Sequence, residues 1–468
     1  MLEDFIIAKI RQELPFEANP GQEELLRKLG RFIACRAPES AFVLRGYAGT
    51  GKTSVVSALV RAMEGLKQPF CLLAPTGRAA KVLAAYSGFP AYTIHKRIYR
   101  QKQLGSEVFG LSANMQQNTL FIVDEASMLA NQTDRMSPFG SGQLLDDLIQ
   151  FVFSGQNCSL LLLGDNAQLP PVGQSDSPAL NVRFLEGYGL HVTEHTLTEV
   201  ARQALDSGIL FNATKIRNQL ASGQVNLMPE ITTEGFEDIR SLYDREDFLE
   251  ELEKAYKEAG EEETILITRT NVRTNLYNQG IRNQILWREE QISNGDRIMV
   301  TKNNYFWTEQ YENMPFLANG DMFEIEHLSG EREMYGFRFV DASIRAVDDE
   351  REIDVTLWLD TLFTDSPEAN YELQKQLFLR VAEDYPEIRN KRDLWKEVMK
   401  SPYYNALQVR FAYAVTCHKA QGGQWKRVFI DPGKVSDEQL GEDFYRWFYT
   451  ALTRAQEKVY LINFPPKK

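Results

Sequence analysis

The stretch Gly46-Tyr-Ala-Gly-Thr-Gly-Lys-Thr53 matches the phosphate-binding pattern G-x-x-x-x-G-K-[ST]. The apolar run at residues 41–44 before it predicts a buried strand, and the apolar spacing of residues 54–63 after it predicts a helix. A chance match in a glycine-rich turn is the alternative, but both flanking elements fit a phosphate-binding loop. We therefore predict that the chain binds a nucleoside triphosphate.

The residue types of this loop suit a triphosphate. Clustered backbone N–H groups must approach the phosphates, and glycines leave that approach unobstructed. The lysine ammonium supplies positive charge near the β and γ phosphates, and the last threonine hydroxyl is placed to ligate Mg²⁺. The predicted nucleotide-binding residues of the loop are Gly46, Gly49, Thr50, Gly51, Lys52 and Thr53.

Length and composition limit the class of protein. A chain of 468 residues is long enough for roughly three or four domains. No apolar stretch approaches the about 20 residues that a membrane span requires, and residues 1–5 lack the basic start of a signal peptide. We expect a cytoplasmic protein with no membrane partner.

The cysteines are scattered along the chain. Cys35, Cys71, Cys158 and Cys417 form no C-x-x-C pair, so neither a zinc site nor a disulfide framework is indicated. We interpret them as buried small hydrophobes.

The net charge of -13 argues at first against nucleic acid, because Lys and Arg contacts to phosphates normally dominate such affinity. Overall charge says little about a narrow channel, however. A few basic, aromatic and hydroxyl groups can hold a single strand locally. A nucleic-acid partner therefore stays open.

Short apolar runs alternate with helical stretches, which is typical of parallel sheets built from βαβ units. The predicted strands are at residues 41–44, 70–74, 120–123, 159–163, 264–268, 411–415, 428–430 and 459–462. They predict an α/β fold with two lobes, the first at residues 1–200 and the second at residues 201–293 and 406–468. Residues 294–405 have short β runs followed by charged helical sequence, which indicates an inserted domain.

Two further segments carry polar groups where predicted strands end. Asp124 and Glu125 follow the strand at 120–123, at the sheet edge where ligands collect. Adjacent side chains point in opposite directions, which allows Asp124 to face Mg²⁺ and Glu125 to orient and deprotonate water; a solvated acidic turn is the alternative. Gln168 follows the strand at 159–163 and could sense a γ phosphate through its amide.

Taken together, the motifs resemble those of superfamily 1 DNA helicases, specifically the RecD and Dda-like branch that includes the Pif-type enzymes. The matching segments are residues 19–22 for the glutamine motif, 46–53 for Walker A, 74–80 for motif Ia, 92–95 for motif Ib, 120–128 for Walker B, 164–171 for motif III, 197–203 for motif IV, 415–422 for motif V and 449–455 for motif VI. The resemblance covers both lobes and implies two RecA-like motor lobes.

The resemblance implies roles for residues on both sides of a nucleotide cleft. Gln22 would read adenine through its amide, which would favour ATP. Arg202 and Arg454 would contact the γ phosphate and stabilise transition-state charge. Each arginine could instead be a surface residue or a structural ion pair. Closure of the lobes around ATP would be the mechanical step.

The resemblance also implies a DNA track across both lobes. Hydroxyl and imidazole groups can hold phosphates, and rings such as Tyr92 or Trp425 could stack on bases. Hydroxyls at these positions often cap helices, and aromatic rings are usually core, so both interpretations stay open. The predicted DNA contacts are Pro75, Thr76, Thr93, His95, Thr416 and His418.

Strand separation in this branch uses a wedge between motif Ib and Walker B. Residues 97–118 contain turn-prone sequence that fits a small β-hairpin, or pin, and Phe109 is the expected aromatic at the fork. A plain surface loop is the alternative. The insert at 294–405 would correspond to the SH3-like domain of this branch, with its helical part as a brace.

The sequence therefore predicts an ATP-dependent, Mg²⁺-requiring helicase that acts on single-stranded and forked or partial duplex DNA. The 5′ to 3′ polarity rests on the resemblance alone. We expect a monomer with replication or recombination proteins as further partners. A motor subunit of a helicase–nuclease complex, a nucleotide-dependent binding switch and an RNA substrate are the alternatives.

Overall fold

Strand β1 (Ser40–Gly46) and helix α3 (Lys52–Gly65) flank the phosphate-binding loop in the computed structural model of the chain. The structure describes residues 2–35, 37–101, 109–133, 139–200, 206–308, 316–347, 351–364 and 366–464. The described strands are β1 Ser40–Gly46, β2 Phe70–Ala74, β3 Ala91–Thr93, β4 Tyr99–Gln101, β5 Phe109–Leu111, β6 Leu120–Val123, β7 Ser159–Gly164, β8 His191–Leu197, β9 Ile239–Leu242, β10 Thr264–Thr268, β11 Arg297–Val300, β12 Met322–Met334, β13 Phe337–Ala346, β14 Glu352–Trp358, β15 Leu407–Phe411, β16 Ala414–Thr416, β17 Trp425–Asp431 and β18 Ala455–Ile462. The described helices are α1 Leu2–Glu13, α2 Pro20–Cys35, α3 Lys52–Gly65, α4 Gly77–Ser87, α5 Ile94–Ile98, α6 Leu144–Ser154, α7 Val182–Glu186, α8 Gly208–Ser222, α9 Arg245–Ala259, α10 Asn271–Gln284, α11 Pro367–Ala382, α12 Lys391–Val398, α13 Cys417–Ala420 and α14 Glu442–Leu452.

The first lobe is a parallel sheet in the order β3-β2-β6-β7-β1-β8. All four strands predicted for this lobe are present. They were recognisable because strands covered on both faces have continuous apolar runs. The edge strands β3 and β8 were not predicted, and their sequences are more polar. Since β6, β7 and β1 are neighbours, the polar segments that follow them meet at one edge of the sheet.

The second lobe is a parallel sheet in the order β16-β10-β17-β18-β9. The strand predicted at residues 411–415 is wrong. That stretch is divided between β15, which belongs to a barrel, and β16, which belongs to the sheet. The apolar run crosses from one domain to the other without a glycine, proline or polar break, so hydrophobic periodicity cannot reveal the boundary.

The inserted region forms a small closed barrel of strands β11 to β15. Neighbouring strands are antiparallel except β14 and β15, which are parallel. The barrel therefore continues to Phe411, beyond the predicted boundary at residue 405. Its buried residues Ile298 and Phe323 share one core with Leu266 and Phe429 of the second lobe. This common core fixes the barrel to the second lobe.

Strands β4 and β5 pair as an antiparallel two-stranded sheet within the predicted pin, whose residues 102–108 lie outside the described part. Phe109 is only 2% exposed. Its ring packs 4.9 Å from Phe139, 5.3 Å from Tyr305 and 6.3 Å from Phe316, measured between centroids. The prediction that Phe109 meets the fork directly is therefore contradicted, because its ring is enclosed by other aromatic rings.

The four cysteines are free. Cys71, Cys158 and Cys417 are buried as predicted, whereas Cys35 is exposed. Burial raises the pKa of the Cys71 thiol to about 11, so this group is a neutral thiol near pH 7. In the described ranges, no helix combines the length and apolar character needed to cross a membrane.

Candidate nucleotide site and DNA track

The phosphate-binding loop runs from the end of β1 to the start of α3. Gly51 precedes the helix with a φ of 84°, a conformation that favours glycine. A Cβ atom at Gly51 would lie 2.6 Å from Gln22 Nε2. The Lys52 ammonium donates to the carbonyl oxygen of Gly46 and, at 3.4 Å, to that of Tyr47. The lysine is thus held at the loop by carbonyl groups that a phosphate could replace.

Gln22 lies buried against the same loop. Its Nε2 donates to the carbonyl oxygen of Thr50 at 3.1 Å, and its Oε1 accepts from the Asn19 N–H at 3.0 Å. These bonds use the amide oxygen and one of the two amide N–H groups. The second N–H group is the one that could contact a base.

Asp124 and Glu125 follow β6 at the edge next to the loop. Tyr86 donates to Asp124 Oδ2, and the Glu125 N–H donates to Asp124 Oδ1 at 2.9 Å. Burial, and next the nearby charge of Glu125, raise the pKa of Asp124, against these hydrogen bonds. The Asp124 carboxyl is therefore oriented by two donors before any nucleotide binds.

Glu125, Gln168 and Arg454 converge from three separate segments. Arg454 Nη1 lies 3.4 Å from Glu125 Oε1. The orientation of the Gln168 amide is assigned from its hydrogen-bond partners. In that orientation its nitrogen donates to Glu125 Oε2 at 3.3 Å, and its oxygen accepts from Arg454 Nη2 at 2.9 Å. Arg454 belongs to the second lobe and the other two to the first, so this group spans the cleft.

Two more residues join the site, although the sequence interpretation gave them no role. The Tyr449 hydroxyl accepts from the Ala48 N–H of the phosphate-binding loop at 2.9 Å and donates to Asp165 Oδ2 at 2.6 Å. Burial raises the pKa of Asp165, while the Lys52 charge opposes that shift. Both residues lie within motifs that the sequence analysis matched, and this position could have identified them as site residues.

The donor set fits a magnesium-bound triphosphate. The Thr53 side chain is exposed at the first turn of α3, and the Asp124 carboxyl stands at the end of the neighbouring β6. Mg²⁺ is usually held by one or two protein oxygens together with substrate phosphates. Thr53 and Asp124 are the residues that would hold it here.

Arg202 lies outside the described residues, so its predicted place in the cleft stays a prediction. The other predicted nucleotide residues, including Gly46, Gly49 and Thr50, are grouped in the loop. Thr50 is fully buried, and its hydroxyl donates to the Tyr47 carbonyl oxygen at 2.7 Å. Its side chain therefore braces the loop from within.

The predicted DNA contacts lie at helix starts in both lobes. The Thr76 hydroxyl caps α4 by accepting from the Ala79 N–H at 3.2 Å, and the Thr93 hydroxyl caps α5 by accepting from the Lys96 N–H at 3.2 Å. A capping hydroxyl can still donate to a phosphate. The second-lobe pair is at the start of α13, where Thr416 makes no side-chain cap and His418 is exposed; Pro75 directly precedes Thr76.

Burial restricts two of the predicted aromatic or imidazole contacts, leaving His95 able to contact a phosphate only as a neutral donor. Burial lowers the pKa of His95 to about 4, and its ring packs 5.0 Å from that of Phe139; near pH 7 it is neutral and cannot act as a cation. Trp425 is 1% exposed and is covered by the Arg78 guanidinium at 4.1 Å, so it is not available for stacking. Tyr92 is 39% exposed and remains a candidate.

Lys419 is a charged group that the sequence interpretation left without a role. It lies in α13 and its ammonium donates to Asn319 Oδ1 at 2.6 Å, across to the barrel. Burial lowers the pKa of Lys419 to about 8. This lysine therefore stands beside His418 at the junction of the second lobe and the barrel.

The chain has a phosphate-binding loop, a carboxylate pair after the neighbouring strand and an arginine from a second parallel lobe. These features define a P-loop nucleoside triphosphatase with two lobes. Two family models match the chain, one described as AAA domain over residues 17–233 and one as UvrD-like helicase C-terminal domain over residues 411–462. Together with the relatives described next, these two matches confirm the resemblance to superfamily 1 helicases of the RecD and Dda-like branch.

Several individual proteins are similar to the chain. The ATP-dependent DNA helicase dda of Enterobacteria phage T4 is 24% identical over 456 residues, covering 90% of this chain and 93% of that protein. Uncharacterized protein R530 of Acanthamoeba polyphaga mimivirus is 23% identical over 517 residues, with coverage of 94% and 99%. The ATP-dependent RecD2 DNA helicase of Deinococcus radiodurans is 35% identical over 136 residues, with coverage of 28% and 16%. A crystal structure of Pif1 helicase from Bacteroides with ADP-AlF3 and ssDNA has a TM-score of 0.46 at 15% identity, with coverage of 95% and 92%.

Proposed function

We propose that the chain is an ATP-dependent DNA helicase that requires Mg²⁺ and translocates 5′ to 3′ on single-stranded DNA. The observation that carries the proposal is the convergence of Glu125, Gln168 and Arg454 beside the phosphate-binding loop. An arginine that reaches the nucleotide from a second lobe couples ATP turnover to the relative position of the lobes. Such coupling is what a motor requires.

The residues at the cleft have complementary tasks in hydrolysis. Lys52 and the loop N–H groups bind and orient the phosphates, and Glu125 accepts the proton of the attacking water. Arg454 stabilises the charge that develops on the γ phosphate, with Gln168 linking it to Glu125. Mg²⁺, when held by Thr53 and Asp124, would neutralise charge on the phosphate oxygens.

The DNA strand would cross both lobes on the surface formed by Thr76, Thr93, Thr416 and His418, with Tyr92 stacking on a base. The β4–β5 pin would separate the strands, and the barrel, as an SH3-like domain, would guide the single strand past it. The 5′ to 3′ direction rests on similarity to Dda and the RecD-like proteins.

ATP hydrolysis and unwinding on partial duplexes with a 5′ or a 3′ single-stranded tail, in DNA and RNA versions, test this proposal. We expect unwinding only from the 5′ DNA tail, with hydrolysis stimulated by the single strand. Stimulated hydrolysis without unwinding would instead identify a motor that needs a nuclease or other partner. ATP hydrolysis that no strand stimulates would identify a nucleotide-dependent switch. Unwinding from the RNA tail would identify RNA as a substrate.

A further inference from the structure

A polar cavity of about 360 Å³ adjoins the nucleotide site beside the turn that follows β7. Its walls include Ser127, Asp165 and Gln168 of the first lobe and Arg446 of the second. Arg45 and Arg183 complete the part of the lining that carries positive charge. The cavity is therefore bounded by both lobes and by groups of the catalytic cleft itself.

Ser127 indicates that the cavity has a polar occupant. Its side chain is 2% exposed, and its hydroxyl has no hydrogen-bond partner among the residues that the structure describes. A buried hydroxyl without a partner costs free energy, about 1–3 kcal/mol, and such groups in native proteins usually bind a ligand or water. Because Ser127 lines the cavity, a ligand there would satisfy it.

The charges of the lining favour an anion. Arg45 is held by Glu194 at 2.6 Å, and Arg446 by Glu442 at 2.6 Å. Arg183 is exposed, and its guanidinium makes no hydrogen bond or ion pair with any part of the chain that the structure describes. It is therefore the guanidinium most free to bind a ligand.

The two carboxylates of the lining are already engaged. Asp165 accepts from the Tyr449 hydroxyl at 2.6 Å and from the Ala167 N–H at 2.9 Å. Asp176 is directed largely to solvent, with its side chain 76% exposed, and lies 3.6 Å from Arg446. Since Arg45 and Arg446 are paired with glutamates and both lining carboxylates have donors, Arg183 is the lining charge that remains to attract an anion.

The position of Gln168 connects the cavity to the chemistry. Gln168 lines the cavity, and its amide also contacts Glu125 and Arg454 at the place proposed for the γ phosphate. We propose that the cavity receives inorganic phosphate after hydrolysis and releases it past Arg183, while ADP is still bound on the phosphate-binding loop. This inference rests on the proposed ATP hydrolysis and adds an exit path for one of its products.

The first test measures how strongly inorganic phosphate inhibits steady-state ATP hydrolysis. A parallel equilibrium experiment measures phosphate binding to the protein in the presence of saturating ADP. Ser127→Ala removes a hydrogen bond to a charged ligand and should raise the inhibition constant for phosphate about tenfold. Arg183→Ala removes an exposed charge and should raise it about threefold. Arg27→Ala, an exposed arginine on α2 outside the cavity, is the matched control and should leave the constant unchanged.

Transient kinetics give the second test. Val182 lines the cavity, and Val182→Phe would narrow the path. Rapid quenching measures bond cleavage, and a fluorescent phosphate sensor measures free phosphate in the same single turnover. We expect Val182→Phe to lengthen the delay between cleavage and release several-fold, with Arg27→Ala keeping the wild-type delay.

The outcomes separate the inference from the proposed function. Phosphate inhibition that all cavity variants leave unchanged, together with an unaltered delay in Val182→Phe, would show that phosphate acts and leaves at the phosphate-binding loop itself. That result would overturn the inference and leave the helicase proposal standing. A wild-type protein that does not hydrolyse ATP would overturn both.

Discussion

Glu125 is the residue on which the hydrolysis mechanism depends. Its carboxylate lies 3.4 Å from Arg454 across the cleft and is also within reach of the Gln168 amide. Glu125→Gln keeps the size of the side chain but removes the proton acceptor, so we expect turnover to fall by about 10² to 10⁴ while ATP binding persists. Single-turnover hydrolysis and fluorescent-nucleotide binding measure the two effects.

The companion variants of this experiment are Lys52→Ala and Glu64→Gln. Lys52→Ala removes the ammonium that binds phosphates and should abolish turnover. Glu64 is exposed near the end of α3, so Glu64→Gln makes the same chemical change away from the cleft and should behave as wild type. Normal turnover by either Glu125→Gln or Lys52→Ala would contradict the assignment of the site.

Lys419 predicts a pH dependence of DNA binding. Its burial lowers the pKa to about 8, so the ammonium loses its charge as the pH rises through that value. If it faces the DNA track, affinity for single-stranded DNA should weaken between about pH 7 and 9, and the salt dependence should lose about one phosphate contact. Fluorescence anisotropy at several salt concentrations measures both.

As the pH rises, the contribution of Lys419 to folding stability should increase, whereas its contribution to DNA affinity should decrease. Unfolded lysine titrates near 10.4, above the folded value, so the unfolded chain binds the proton more strongly between about pH 8 and 10. The contribution of Lys419 to stability therefore rises with pH in that window. Lys419→Arg, which stays charged, should remove both trends, and a DNA affinity that still falls at high pH in this variant would exclude Lys419 as the cause.

At the scale of elements, Phe109 anchors the β4–β5 pair in the core and does not form an exposed end of the pin. The ring lies among Phe139, Tyr305 and Phe316, so Phe109→Ala should cost about 3 kcal/mol of stability and leave the pin poorly positioned. We expect unwinding to fall more than single-strand-stimulated ATP hydrolysis. Parallel unwinding and hydrolysis assays on one forked substrate measure the difference.

Phe121→Ala is the matched control for the pin. Phe121 is fully buried in β6 and packs against Phe151, outside the β4–β5 pair and without a ring contact to Phe109. Its replacement should cost similar stability without separating the two activities. Equal losses of unwinding and hydrolysis in Phe109→Ala would contradict a specific role for the pin.

Elements that bury both faces were the predictable part of this fold. The strand at 120–123 and its following carboxylates, Asp124 and Glu125, could be placed because a continuous apolar run ends abruptly in charge. The boundary near Phe411 could not be placed, since residues 411–415 form one continuous apolar run from the end of the barrel strand into the sheet strand. The Tyr449 contact to Ala48 was also hidden, because nothing local in sequence records a partner 401 residues away.

At the scale of the whole molecule, the lobes are joined around the turn after β7. The Leu169 N–H donates to the Thr450 hydroxyl at 2.8 Å, and the Leu169 carbonyl oxygen accepts from Gln421 at 2.7 Å. Tyr449 adds a bond to Ala48 of the phosphate-binding loop. Opening of the lobes at this turn would break these bonds, so they favour the closed form over the open form.

Tyr449→Phe should shift that balance. Loss of the hydroxyl leaves the Ala48 N–H without a partner and removes one of the two donors to the buried Asp165 carboxyl, a penalty of about 1–3 kcal/mol that applies to the closed form. We expect the ratio of closed to open molecules to fall about tenfold. Fluorescence energy transfer can report this, with one label on the exposed native Cys35 of the first lobe and one on Glu438→Cys, an exposed position of the second.

The neighbouring Tyr445 separates lobe closure from simple loss of a buried hydroxyl. Tyr445 lies on the same helix α14, but its hydroxyl donates to the Leu227 carbonyl oxygen at 2.8 Å within the second lobe. Tyr445→Phe should therefore lower thermal stability without changing the transfer efficiency. If both variants changed stability alone, the Tyr449 bond would be a packing contact, and closure would depend on Leu169 and on the nucleotide instead.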